Sequence, residues 1–144
     1  MSAVKTYWKC PLCNKEFAKP NQSHKCEVVA VEELFVDKNP AIWDLYQYFI
    51  QQIQPIGEWK VTTSKKAITI YAANRVAFMG IEVKRKWLDI WFALDSKWDE
   101  FPIYKILQAS PKKFGHFVRL YDAEDVSQVL VNLLTASYRY TMEK

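Results

Sequence analysis

"VAFMGIEVKRKWLDIWFALD", Val76 to Asp95, reads as two alternating runs joined by the basic turn Lys84-Arg85-Lys86. In the second run Leu88, Ile90, Phe92 and Leu94 fall at every second position, the spacing that returns side chains to one face of a β-strand. Neighbouring segments continue the same period. "WKVTTS" (59–64) and "AITIYAA" (67–73) precede it, and "YKILQAS" (104–110) and "FGHFVRLYD" (114–122) follow, all joined by short polar turns. No helical pattern separates these strands. Parallel pairing needs long crossovers, so the sheet is expected to be mainly antiparallel.

Helical periodicity appears on either side of the strands. In "DKNPAIWDLYQYFIQQIQPIG", Asn39 suits an N-cap, Pro40 the first helical position, and Pro55-Ile56-Gly57 a stop. Ile42, Leu45, Tyr46, Phe49 and Ile53 make its apolar face. "AEDVSQVLVNLLTASYRYT" predicts a closing helix capped by Asp122, with Val126, Leu130, Leu133 and Leu134 inward. The expected class is α+β: a mainly antiparallel five- to six-stranded sheet flanked by an N-terminal and a C-terminal helix, preceded by a small zinc-binding segment. The division falls at residues 1–27 and 28–144.

Composition agrees with one well-filled domain and a small appendage. Of 144 residues, 50% are hydrophobic and 15% aromatic, while three glycines and six prolines exclude low complexity. No apolar run reaches the roughly 18 residues of a membrane span, and the N-terminus lacks the apolar core of a secretory signal. A reducing, cytoplasmic compartment is therefore expected.

The leader "WKCPLCNKEFAKPNQSHKC" holds every cysteine. Cys10, Cys13, His24 and Cys26 have the spacing C-x2-C-x10-H-x-C, and four thiolate and imidazole ligands satisfy tetrahedral zinc. His24 and Cys26 lie two apart, so they converge on one ion only from an extended or turn conformation. That excludes the recognition helix of a DNA-reading ββα finger. With four protein ligands the zinc, one per chain, is expected to be structural. Residues 1–26 carry Lys5, Lys9, Lys15, Lys19 and Lys25 against Glu16 alone, so the whole formal charge of +4 resides there. An anionic partner and simple solubility both account for this surplus.

Strand parity raises a second candidate. If Leu88, Ile90, Val118 and Leu120 face the core, then Trp87, Asp89, Trp91, Phe117, Arg119 and Tyr121 face the other way, as does Tyr71. A face this aromatic is covered by the leader, paired with a second molecule, or a stacking platform on which Arg119 meets a phosphate or carboxylate. Basic turns at Lys65-Lys66, Lys84-Arg85-Lys86 and Lys112-Lys113 form a phosphate-contacting patch only if they gather at one edge. Trp98 sits in the polar loop "DSKWDEF", as a contact surface or a flap folded onto the body. No nucleophile motif and no glycine-rich phosphate loop occurs. His116 shares the parity of Val118 and reads first as a buried, hydrogen-bonded group, with a base role requiring a cleft and a partner.

The order and pattern of these segments, from "WKCPLCNKEFAKPNQSHKC" through "LFVDKNPAIWDLYQYFIQQIQPIG" and "VTTSKKAITIYAANRVAFMGIEVKRKWLDIWFAL" to "HFVRLYDAEDVSQVLVNLLTASY", resemble the bacterial family of domain of unknown function 5655 over residues 7–140. The resemblance implies zinc at the leader ligands and a compact α+β domain behind them. It implies no catalytic residues, and it directs attention to Lys66, His116 and Arg119. Some relatives are linked to nuclease-like or DNA-associated proteins. The expected function is a zinc-stabilised, non-enzymatic binding module for nucleic acid or for a protein of a nucleic-acid system. Lys66, Tyr71, Trp87, Trp91, His116 and Arg119 are its candidate ligand residues. The alternatives are a small-molecule-binding or hydrolytic protein with a pocket near Trp98, and a domain that dimerises through its aromatic face.

Overall fold

The computed structural model describes residues 30–143 and, before them, the backbone of two short strands, Trp8–Lys9 (β1) and Glu16–Phe17 (β2). The zinc-ligand candidates Cys10, Cys13, His24 and Cys26 lie outside the described residues. β1 and β2 pair antiparallel, with Trp8 opposite Phe17 and Lys9 opposite Glu16.

A 3₁₀ turn, Val31–Phe35, leads into helix α1, Pro40–Ile53. The Asn39 side chain accepts from the Ala41 N–H at 3.0 Å, and Pro40 opens the helix where no intrahelical N–H partner is needed. Ile42, Leu45, Tyr46, Phe49 and Ile53 are all buried, as their spacing predicts. A second 3₁₀ turn, Gln54–Ile56, ends this segment.

Six strands follow: β3 Trp59–Thr63, β4 Ala67–Ala72, β5 Ala77–Val83, β6 Leu88–Leu94, β7 Lys105–Ser110 and β8 Lys113–Leu120. They form one open antiparallel sheet in the order β3-β4-β5-β6-β8-β7. The first four strands make a meander. β8 then pairs with β6 and leaves β7 at the edge. The β4–β5 turn holds Arg75 at φ 68°, and Asn74 fastens it by accepting from Val76 N–H and donating to the Thr141 carbonyl at 2.8 Å. Just beyond, the register shifts so that Ile70 opposes Met79 but Tyr71 opposes Ala77. The buried Ser137 hydroxyl donates to the Phe78 carbonyl at this bulge, 3.1 Å away.

Helix α2, Gln128–Met142, closes the chain. Its cap differs from the one the sequence predicts. Asp122 caps a separate 3₁₀ turn, Ala123–Asp125, through a reciprocal arrangement with Asp125, and α2 itself starts at Ser127, whose hydroxyl accepts from Leu130 N–H at 3.2 Å. Two capping residues lie five positions apart, and each nucleates its own turn. Val126 consequently sits between the two turns, half-buried, while Leu130, Leu133 and Leu134 are buried as expected.

Helix α2 lies over β4, β5 and β6, and α1 packs beside it. The sheet contributes Ile68, Ile70, Ile81, Leu88, Ile90, Phe92, Val118 and Leu120 to the shared core. Full burial of each such side chain is worth about 1.5–3 kcal/mol. Both helices therefore occupy one side of the sheet. No helix among the described residues is long and apolar enough to cross a membrane.

Candidate ligand face

The side of the sheet away from the core collects the residues that parity assigns to it. Thr62, Thr69, Gly80, Trp91, Phe117 and Lys105 are successive cross-strand partners and form one row across all six strands. Ala67, Glu82, Asp89 and Arg119 form the next. Neighbouring strands are about 4.8 Å apart, so side chains adjacent within a row lie within reach of one another.

Arg119 is the centre of this face. Its guanidinium lies 4.3 Å from the Tyr104 ring centroid and 5.6 Å from that of Trp87. Tyr104 reaches across to donate its hydroxyl to Asp89 at 2.6 Å, which fixes the ring against which Arg119 rests. Trp87 in turn tilts against Tyr121, with centroids 5.9 Å apart. Tyr104 is 42% exposed and Tyr121 54%, so this cluster is open to solvent. Burial and then the bond to Asp89 raise the Tyr104 pKa, and the Tyr104 hydroxyl beside it raises that of Arg119, so both keep their protons throughout the physiological range. Alongside, Lys105 Nζ sits 5.0 Å over the Phe117 ring. Arg119 also hydrogen-bonds the Tyr104 and Tyr121 hydroxyls, and the rest of its exposed N–H edge is open to an anion or the acceptor edge of a base.

The sequence candidates distribute unevenly. Trp87 and Arg119 touch, and Trp91 stands on the same face beside Phe117. Tyr71 shares the face but lies on β4, two strands from β6, and is half-buried. Lys66 is exposed in the β3–β4 turn. Antiparallel order puts that turn and Lys84-Arg85-Lys86 at one end of the sheet and Lys112-Lys113 at the opposite end, so the three basic turns do not gather.

His116 belongs to the other side. It is 0% exposed and stacks on Phe92 at 5.6 Å. Its Nδ1 lies 3.0 Å from the Phe114 carbonyl, which only accepts, so Nδ1 carries the proton. Nε2 accepts from the Trp98 main-chain N–H at 2.9 Å. Both nitrogens are thus engaged and the neutral tautomer is defined. Burial lowers the imidazole pKa below 6.5, opposed by the Phe114 bond. The Trp98 loop is a flap fastened to the body through this histidine.

Beneath that flap, at the β7 edge, Lys97, Asp99, Tyr104, Lys105, Ile106 and Gln108 line a cavity of about 350 Å³. Tyr104 and Lys105 belong to both cavity and aromatic face. Sequence reasoning does not find them, because "YKILQAS" says nothing of which strand it adjoins. Among the described residues no group of three or more His, Cys, Asp or Glu is placed to hold a metal.

The family described as Domain of unknown function (DUF5655) matches residues 31–141 of this chain, which belongs to that family. Comparison with curated proteins and with solved structures returns no match.

Proposed function

We propose that the protein is a non-enzymatic binding module that holds single-stranded nucleic acid on its aromatic sheet face. The observation that carries this reading is Arg119 stacked between Tyr104 and Trp87, one row from the Trp91–Phe117 pair. Aromatic rings at strand spacing offer stacking surfaces for successive bases, each worth about 1–3 kcal/mol. Arg119 and Lys105 supply charge for the backbone. A duplex conceals its base faces, so the stacking surface favours a single strand.

The leader, residues 1–27, is read as a structural zinc segment attached to the 28–144 domain, with Cys10, Cys13, His24 and Cys26 as ligands. Support comes from the β1–β2 pairing. The C-x2-C sequence falls between the two strands, and a hairpin of two-residue strands needs a staple such as a metal ion. Its lysines add a basic extension, and metal-bound thiolates fit a reducing cytoplasm.

The test is fluorescence anisotropy of labelled single- and double-stranded oligonucleotides. The reading expects tighter binding of the single strand, a roughly tenfold loss between about 50 and 200 mM salt, and loss of binding in Arg119→Ala. Equal affinity for duplex, or an unaffected Arg119→Ala variant, overturns it. A protein that doubles in mass with concentration and ignores oligonucleotides is instead a homodimer paired through this face.

A further inference from the structure

We infer that the cavity at the β7 edge receives the terminal phosphate of the strand bound on the sheet, so that the protein recognises a phosphorylated end. The inference rests on the single-strand reading above. Lys105 provides the connection, since its ammonium lies over the Phe117 ring while its side chain lines the cavity. A strand stacked on Trp91 and Phe117 and continuing past β8 arrives at β7, the edge of the sheet among the described residues.

The cavity's chemistry matches a phosphate monoester attached to a sugar. Two lysines line it, the Lys105 ammonium lying over the Phe117 ring and the Lys97 ammonium 5.8 Å from the Phe114 ring centroid. Of the other donors, the Tyr104 hydroxyl donates to Asp89, and Gln108 Nε2 donates one of its two hydrogens to the Ser110 carbonyl at 3.2 Å. The two lysines are the charged phosphate ligands, with the second Gln108 N–H beside them. Asp99, the one carboxylate in the lining, cannot serve a phosphate but accepts from a sugar hydroxyl. Of the lining residues only Ile106 is apolar, so an uncharged hydrophobic ligand is not what the walls select. A volume of about 350 Å³ lies at the small end of ligand sites and accommodates one terminal group, not a folded partner.

The experiment uses the full chain and one deoxythymidine decamer bearing a 5′-phosphate, a 3′-phosphate or neither, labelled at the opposite end. One phosphorylated form should bind about tenfold more tightly than the unmodified decamer, the scale of one charge-assisted contact. Lys97→Ala lies off the aromatic face and should abolish that advantage while leaving the unmodified decamer's affinity unchanged. Thymidine monophosphate in excess should cancel the advantage without displacing the unmodified decamer. If a free mononucleotide binds but terminal phosphate brings no gain, the cavity is a separate nucleotide site and the inference fails. Equal affinity for all three decamers overturns the inference and leaves the single-strand reading standing. Failure of every decamer to bind at low salt overturns both.

Discussion

The Trp91 indole lies across the backbone of Gly80: a Cβ built at Gly80 would fall 1.9 Å from Trp91 Nε1 and 2.5 Å from Cε2. The two residues are cross-strand partners on β5 and β6, so the glycine is the floor on which the indole rests. A methyl group there forces the ring off the sheet. Gly80→Ala should cost about 1–3 kcal/mol in chemical denaturation, shift tryptophan emission, and weaken oligonucleotide binding. A variant with wild-type emission and affinity would separate Trp91 from the ligand face.

Arg119→Lys isolates geometry from charge. Lysine keeps the positive charge but not the planar fork that stacks on Tyr104 and Trp87. Salt dependence should therefore persist while affinity at fixed salt falls about tenfold. Retained affinity would mean that Arg119 acts only as a point charge. Its guanidinium is exposed, so the variant should unfold like the parent.

The pH dependence of stability follows from His116. Its folded pKa is below 6.5, so beneath that value the unfolded chain binds a proton that the folded chain refuses. Stability contributed by the neutral imidazole is complete above about pH 6.5 and declines as pH falls toward the folded pKa. Protonation would also set an Nε2–H against the Trp98 N–H and release the flap. Denaturation between about pH 5 and 7.5 should show this slope, and His116→Gln should flatten it. An unchanged slope in that variant would assign the effect to other groups.

For the leader, metal analysis of chain purified in reducing buffer should find one zinc per molecule. Cys10→Ser and Cys26→Ser should each release it without removing the cooperative transition of the α+β domain. Loss of the whole transition would make the leader part of the core.

Much of the architecture is legible in local pattern. Period-two runs place all six strands, and Asn39-Pro40 marks the start of α1 to the residue. Parity separates Leu88 and Val118 from Trp87 and Arg119, because a pleated strand admits two faces only. What stays hidden depends on pairing between distant segments. Nothing in "YKILQAS" reveals that β8 intervenes between it and β6, so the meeting of Tyr104 and Lys105 with Arg119 and Phe117 is a product of topology. The fastening of Trp98 to His116 is equally non-local. At α2, two adequate caps five residues apart compete, and local chemistry does not rank Asp122 below Ser127.

The position of β7 divides the molecule into two regimes of permanence. β7 has one ladder partner and Leu107 is 51% exposed on it, whereas β6 is held by strands on both sides and by α2 above. Amide exchange should accordingly be fast along 105–110 and slow along 88–94, since a marginal strand opens without unfolding the rest. Lys105 thus belongs to a segment expected to open before the strands that carry Trp91, Phe117 and Arg119. A molecule bound across Lys105 and Phe117 would act as a clasp, lending the outermost strand the permanence that the core already has.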